Sequence, residues 1–280
     1  MKIVIIGIGL IGGSIAKTLS TNNGVSVLAY DQNEQSILNA LKSKSIEGRI
    51  NSLHELKNNK YKNALVIVAT PPSITISIFK ELSFLFNSSV TITDTSSTKN
   101  TLNKLLKEFN FPDNIIFSHP VAGSHLSGET NSMNGLFKNK PVILSHHQSV
   151  NEIHLSKVAD LWKNLDSKIS VLDADLHDHI FAYTSHLPHV AAYALLMTLK
   201  NLDQENLSKF SGGGLGEFLR LSSSSSLMWS DIFSMNSTNV VAAIDSLSEN
   251  LEKLKVQIED NPKELESILE ELKHFKETNY

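Results

Sequence analysis

Ile3-Val4-Ile5-Ile6-Gly7-Ile8-Gly9-Leu10-Ile11-Gly12 stands at the start of the chain. Four consecutive β-branched residues, Ile3 to Ile6, suit a strand buried on both faces. Gly7, Gly9 and Gly12 then spell G-x-G-x-x-G, and Ile15, Ala16 and Leu19 continue with helical spacing. Strand, glycine turn and helix in this order form a dinucleotide-binding fingerprint. Gly7 permits the tight turn, Gly9 lets a pyrophosphate approach the backbone, and Gly12 lets helix and strand pack closely. The helix start at Leu10 and Ile11 offers unpaired N–H groups and a positive dipole end to phosphates. Val25 to Asp31 reads as the next strand and ends in an acid nineteen residues after Gly12. A carboxylate there accepts hydrogen bonds from an adenosine ribose and repels an added phosphate, which points to NAD rather than NADP. A glycine turn with a solvated Asp31 is the alternative.

The 280 residues suffice for one large domain or two ordinary ones. With 41% hydrophobic and 19% charged residues the chain can build a substantial core. A net charge of −4 leaves no basic footprint for nucleic acid or an anionic membrane. The absence of cysteine excludes disulfides, thiolate catalysis and zinc–sulfur sites. The chain opens directly on a strand with no signal-peptide pattern, and no apolar run approaches a bilayer span, so a soluble cytoplasmic protein is expected.

Further strands are expected at Ala64–Thr70, Val90–Asp94, Ile115–Phe117, Pro141–Leu144 and Lys168–Leu172. Helices fall between them: Glu34–Lys44, Ile74–Phe86, Lys99–Phe109 and Asn151–Leu165. The alternation predicts an α/β fold, a Rossmann-type, mostly parallel sheet covered on both faces, over residues 1–172. Thr70 and Pro71, at the C-terminal end of the third strand, stand where such a sheet places its ligand, so they join the expected cofactor-binding set. After Leu172 no convincing strand follows, and residues 173–280 read as an all-helical domain. Asp175 to Leu202 predicts one long helix kinked at Pro188. Gly212-Gly-Gly214 predicts a break. Val240, Ile244, Leu247, Leu251, Leu254 and Ile258, spaced 4, 3, 4, 3 and 4, form an a/d seam. Packing within the chain would explain this seam, but a helical domain of this size favours a homodimer that shares helices.

A nucleotide-binding domain names a cofactor, not a reaction. The reaction must come from polar residues at strand ends and in the helical half. Ser118-His-Pro-Val-Ala-Gly-Ser-His-Leu-Ser-Gly128 is the sharpest such cluster. His119 follows a strand on the cofactor edge, and Pro120 keeps it extended. A neutral imidazole there can take a proton from a hydroxyl as a hydride leaves the same carbon. A loop-capping histidine is the other reading that these residues alone leave open.

The chain resembles the prephenate dehydrogenase family, which includes arogenate and cyclohexadienyl dehydrogenases. The resemblance runs through G-I-G-L-I-G-G-S at the start, T-D-T-S-S-T-K at 93–99, S-H-P-V-A-G-S at 118–124, S-H-L-P-H at 185–189, G-E-F-L-R at 216–220 and M-W-S-D-I at 228–232. It implies an oxidative decarboxylation of prephenate to 4-hydroxyphenylpyruvate with NAD, a step of tyrosine synthesis, driven by aromatisation of the ring. Arogenate is the alternative substrate. The resemblance also implies that His119 accepts the hydroxyl proton, Ser97 orients that hydroxyl, Arg220 holds a substrate carboxylate, and Ser185 and His189 line the pocket. Trp229 resembles a pocket-proximal tryptophan. His125 stands where bacterial members commonly carry a gating glutamate, and is expected near the substrate.

Each residue has a structural alternative. Ser97 can cap the following helix, His189 can be a satisfied core histidine, Arg220 can pair with Asp231, and Trp229 can be core. His177, His179, His186 and His189 suggest a metal site only weakly, since no matching Asp/Glu set is evident, and no metal is expected. A relative of the β-hydroxyacid dehydrogenases would use a helical-domain lysine, for which Lys200 and Lys209 are candidates without a persuasive motif. A non-catalytic NAD-binding redox sensor would need no cluster of His, Ser and Arg on the cofactor edge.

Overall fold

The computed structural model describes residues 1–22, 24–122, 128–202 and 204–280. Its first half alternates strand and helix: β1 (Lys2–Ile6), α1 (Leu10–Leu19), β2 (Ser26–Tyr30), α2 (Glu34–Lys42), β3 (Gly48–Arg49), β4 (Leu65–Val68), α3 (Pro72–Glu81), β5 (Thr91–Asp94), α4 (Asn100–Glu108), β6 (Ile115–Pro120), β7 (Pro141–Ser145), α5 (Glu152–Asn164) and β8 (Lys168–Val171). The strands form one sheet in the order β3-β2-β1-β4-β5-β6-β7-β8. All pairings are parallel except β6 with β7.

The β-branched runs explain this sheet. Side chains alternate between faces, and here both faces are covered. Ile3, Ile5, Leu65 and Ile67 pack on one side with Ile15, Leu19 and Trp162. Val4, Ile6, Val66 and Val68 pack on the other with Phe79, Leu102 and Leu106. The sheet departs from expectation in two places. A two-residue strand, β3, is added at one edge, and β6 runs through Pro120 rather than ending at Phe117. β5 pairs with β6 only as far as Thr93 and Ile116. Beyond that, antiparallel β7 takes over, with Ser118 opposite Leu144 and His119 opposite Ile143. His119 therefore sits within a strand rather than after one.

The second half is helical: α6 (Ala174–Phe181), α7 (Leu187–Leu199), α8 (Gln204–Phe210), α9 (Gly213–Leu219), α10 (Ser226–Met235), α11 (Ser237–Asp260) and α12 (Pro262–Asn279). The stretch expected as one kinked helix is two, joined by a π-helical turn over 182–186. Pro188 lies in the first turn of α7, where its missing N–H costs nothing. The glycine break narrows to a cap at Gly212, because Gly213 and Gly214 enter α9. Among the described residues no helix is long and apolar enough to cross a membrane.

Candidate active site

β1, β4, β5 and β6 are parallel, so their C-terminal ends share one edge of the sheet. At β1 that edge carries the glycine turn. Gly7 has φ +95°, and a Cβ there would lie 2.6 Å from the Ala69 carbonyl oxygen. A Cβ on Gly12 would lie 2.0 Å from the Gly7 oxygen, so helix and turn meet closer than a side chain allows. A Cβ on Gly9 would meet nothing within 4 Å. Gly9 is the N-cap of α1 and makes no side-chain cap bond, which leaves the first-turn N–H groups of Leu10, Ile11 and Gly12 facing that open side. Asp31 stands at the end of β2, beside this turn: its Oδ2 accepts the Ile8 N–H at 2.6 Å and its Oδ1 the Asn33 N–H at 2.8 Å. Each oxygen keeps a further lone pair for a hydroxyl. Thr70 and Pro71 follow β4. The Thr70 hydroxyl lies 2.9 Å from that of Thr75, at the start of α3. These residues fit a dinucleotide: an open backbone cradle, a helix N-terminus and an acid at the ribose position.

β5 and β6 part after Ile116, and an ion pair fills the fork between them. The Lys99 Nζ donates to Asp94 Oδ2 at 2.7 Å and to the Ser118 carbonyl at 2.8 Å. The Ser118 N–H donates to Asp94 Oδ1 at 3.1 Å. Both peptide groups flanking Ser118, the residue before His119, are thus held by side chains where β5 and β6 part. Lys99 and Asp94 are fully buried, an arrangement that is tolerable only because charge and hydrogen bonds are satisfied together.

His119 is 8% exposed, and its imidazole meets the helical half. Its Nδ1 lies 2.8 Å from His177 Nε2, and His177 Nδ1 lies 2.8 Å from Asp178 Oδ1. Phe181 packs on both rings, at 4.5 Å between centroids in each case. Asp178 also accepts the N–H groups of Lys99 and Asn100, both at 2.8 Å, and so caps α4 from the other half of the molecule. Asp231 does the same for α3, accepting the Ser73 N–H at 3.1 Å. Two carboxylates of the helical half therefore sit at two positive helix ends of the sheet half.

The π-helical turn directs the next residues. It lets Ser185 and His186 follow Phe181 with altered register before α7 begins, as such turns often do at functional sites. Buried His186 takes a 3.2 Å contact from Asn236 Nδ2. His189 Nδ1 donates to the Ser185 carbonyl at 2.9 Å, and its ring stacks on Trp229. Arg220, exposed at the C-terminal end of α9, contributes a positive charge that is felt at His189. Among the described residues no carboxylate pairs with Arg220; Asp231, the alternative partner, is engaged at α3. Ser97 is half-buried after β5 and does not cap α4, a role that Asp178 fills.

Every imidazole of this wall is biased toward the neutral form. Burial lowers the pKa of His119 well below the ordinary histidine range, and the neighbouring His177, Lys99 and His186 lower it further. Burial also lowers His177, against the Asp178 hydrogen bond. His186 is brought down to about 4, again by burial first, with Asp178 opposing. Burial lowers His189 as well, and Arg220 adds to this.

The structure thus brings His119, Ser97 and the strand-end residues Thr70 and Pro71 to one edge of the sheet, with Gly7, Gly9, Leu10, Ile11, Gly12 and Asp31 beside them. Ser185, His189 and Arg220 form a second group on the helical half. His125 lies outside the described residues. Among the described residues no three His, Asp or Glu side chains are arranged to hold a metal ion. Lys200 is exposed at the far end of α7, and Lys209 lies over the Phe210 ring. The sequence motifs assign no role to Asp94, Lys99 or Asn236, and they raise His177, with Asp178 beside it, only as a weak metal candidate.

Comparison with known proteins gives a consistent set. Residues 15–171 match the family model of the prephenate dehydrogenase nucleotide-binding domain, and residues 173–274 that of the prephenate dehydrogenase dimerization domain. The chain is similar to cyclohexadienyl dehydrogenase of Zymomonas mobilis, at 29% identity over 99% of this chain and 93% of that one. It is similar to prephenate dehydrogenase of Bacillus subtilis, at 29% identity over 94% of this chain and 71% of that one. It superposes on a crystal structure of prephenate dehydrogenase from A. aeolicus in complex with hydroxyphenyl propionate and NAD+, with a TM-score of 0.90 and 30% identity, covering 99% and 98% of the two chains.

Proposed function

The chain belongs to the prephenate dehydrogenase family, and from that premise we propose that it catalyses the NAD-dependent oxidative decarboxylation of prephenate to 4-hydroxyphenylpyruvate, in tyrosine biosynthesis. The observation that carries this reading is the neutral, nearly buried His119 at the end of β6, on the same sheet edge as the glycine cradle.

NAD, when bound, supplies the acceptor for the hydride of the hydroxyl-bearing ring carbon. Gly7, Gly9 and the first turn of α1 hold its phosphates, Asp31 its adenosine ribose, and Thr70 and Pro71 line its path along the edge. His119 takes the hydroxyl proton, because a neutral imidazole is a competent base near pH 7. Ser97 orients that hydroxyl. The electrons of the departing carboxylate reach the ring oxygen as carbon dioxide leaves, and that oxygen recovers a proton to give the phenol. Aromatisation drives this step, so the chain need only orient the ring and manage one proton. Arg220 grips a substrate carboxylate; a planar guanidinium suits a bidentate contact. His189 and Ser185 complete that wall.

The helical half carries a second part of the proposal, a homodimer. α7 is apolar around its circumference, yet Ala192 is its one fully buried residue. Met197 on α7, Leu251 and Ile258 on α11 and Phe275 on α12 are all more than half exposed in the single chain. A helix apolar on all sides calls for burial, and a second copy of this segment supplies it.

Purified protein incubated with NAD and prephenate, followed by reduced-nicotinamide absorbance, tests the activity. Absorbance growth with prephenate is expected. Growth with arogenate alone would move the substrate to the amino form. No growth with either would overturn the reading.

A further inference from the structure

We propose that His177 and Asp178 form a positioning relay that decides which nitrogen of His119 carries its proton, and that the relay is assembled only when the helical half is seated on α4. The proposal rests on the reading of His119 as the proton acceptor, and extends it to residues that do not touch the substrate.

Asp178 is the acceptor-only end of the row. An ionised carboxylate has no proton to give. Asp178 Oδ1 already accepts the Lys99 N–H and Oδ2 the Asn100 N–H, so α4 fixes the plane of the carboxylate. Its backbone carbonyl accepts Asn236 Nδ2 at 2.7 Å, which anchors the same residue from the α11 side. His177 Nδ1, 2.8 Å from Oδ1, must therefore carry the hydrogen of that contact. A neutral imidazole protonated at Nδ1 has its lone pair at Nε2. His119 Nδ1, 2.8 Å from that lone pair, must then be a donor. The proton of His119 resides on Nδ1, and Nε2 is left as the bare nitrogen. Phe181 wedges against both rings and prevents either from turning out of line.

An isolated histidine holds the opposite preference only weakly, so one acceptor behind Nδ1 is enough to invert it. Asp178 makes the setting conditional. The carboxylate that orients His177 is itself oriented by the N–H groups of Lys99, the N-cap of α4, and Asn100, its first residue. If α6 moves away from α4, the direction of every hydrogen bond in the row is lost. His119 thus acquires its lone pair at Nε2 in the docked arrangement of the two halves.

The test uses the full chain labelled with 15N-histidine, without cofactor. The His119 signals are identified by their loss in His119→Asn. The wild type is expected to show a protonated Nδ1 and a bare Nε2. In His177→Phe, which keeps a flat ring but removes the acceptor, the proton is expected to move substantially to Nε2, with kcat lower by on the order of 10² and NAD affinity unchanged. His177→Gln offers a carbonyl oxygen to Nδ1–H, and should restore the tautomer and part of kcat. A wild-type His119 protonated on Nε2 overturns the proposal, and so does a His177→Phe variant that retains the Nδ1 proton. Should His177→Phe fail to fold, the wild-type spectrum and His177→Gln decide alone. A relay tautomer seen in protein inert toward both prephenate and arogenate would sustain the relay and remove the activity reading.

Discussion

Trp229 lies against His189 with ring centroids 3.6 Å apart and planes 25° from parallel. The indole is 6% exposed, and Phe233 backs it at 5.3 Å. Among the described residues the one hydrogen bond of His189 is to the Ser185 carbonyl, one turn back, so the stack supplies the rest of its orientation. Trp229→Ala should cost about 3–5 kcal/mol of stability, the usual range for a buried tryptophan. It should raise KM for the substrate more than it lowers kcat, because His119 is held by other residues. Urea unfolding and steady-state kinetics check both parts. An equal loss in kcat, with KM unchanged, would detach Trp229 from the substrate wall.

His119→Asn should reduce kcat by roughly 10²–10⁴, the contribution expected of a positioned general base. NAD affinity should be retained, because the cradle is built from Gly7, Gly9, the start of α1 and Asp31. Calorimetric titration with NAD alongside turnover measurements separates the two. A parallel loss of NAD binding would show that His119 serves the cofactor site instead.

Much of this arrangement is legible in the sequence because it is local. Gly7, Gly9 and Gly12 lie within six residues and their steric demands are immediate, so both the spacing and the fold that follows can be read directly. The strand runs at Ile3–Ile6 and Ala64–Thr70 are apolar for one reason, burial on both faces. What could not be read depends on contacts made across the chain. Asp178 meets Lys99 from 79 positions away, and His177 meets His119 from 58. No spacing rule connects such pairs. The one local signal is the adjacent polar pair His177 and Asp178 on a stretch otherwise expected to pack, and adjacency alone does not say that they meet His119 and α4. The extension of β6 was hidden for a similar cause: hydrogen bonds from β7 lengthen it. The π-helical turn at 182–186 looks in sequence like continuous helix interrupted only by Pro188.

Arg220 has no carboxylate partner among the described residues, and its charge is felt at His189. Arg220→Ala should raise KM by roughly 10- to 100-fold, the equivalent of about 1.5–3 kcal/mol for a hydrogen bond to a charged group. kcat should change only a few-fold. Arg220→Lys should recover part of the loss, since it keeps the charge but not the fork. An unchanged KM in Arg220→Ala would remove it from the pocket.

Acid should weaken the fold in a defined window. His186 is 1% exposed and is brought down to about 4, chiefly by burial, against an ordinary value near 6.5. Asp178 faces it and opposes the shift, while His177 and His189 reinforce it. Between pH 6.5 and 4 the unfolded chain binds a proton at this position that the folded chain does not. Stability therefore falls as pH is lowered through that window, and this group adds no further loss below it. The full shift corresponds to about 3 kcal/mol, and His119 and His177, lowered in the same direction, add to it. Urea midpoints should be level from pH 8 to 7 and drop steadily from 6.5 toward 4, with a shallower drop in His186→Gln. The same neutrality of His119 should hold kcat/KM on its plateau below pH 6.5. An acid limb at or above 6.5, together with a His186→Gln slope equal to that of the wild type, would mean that neither imidazole is shielded as the packing requires.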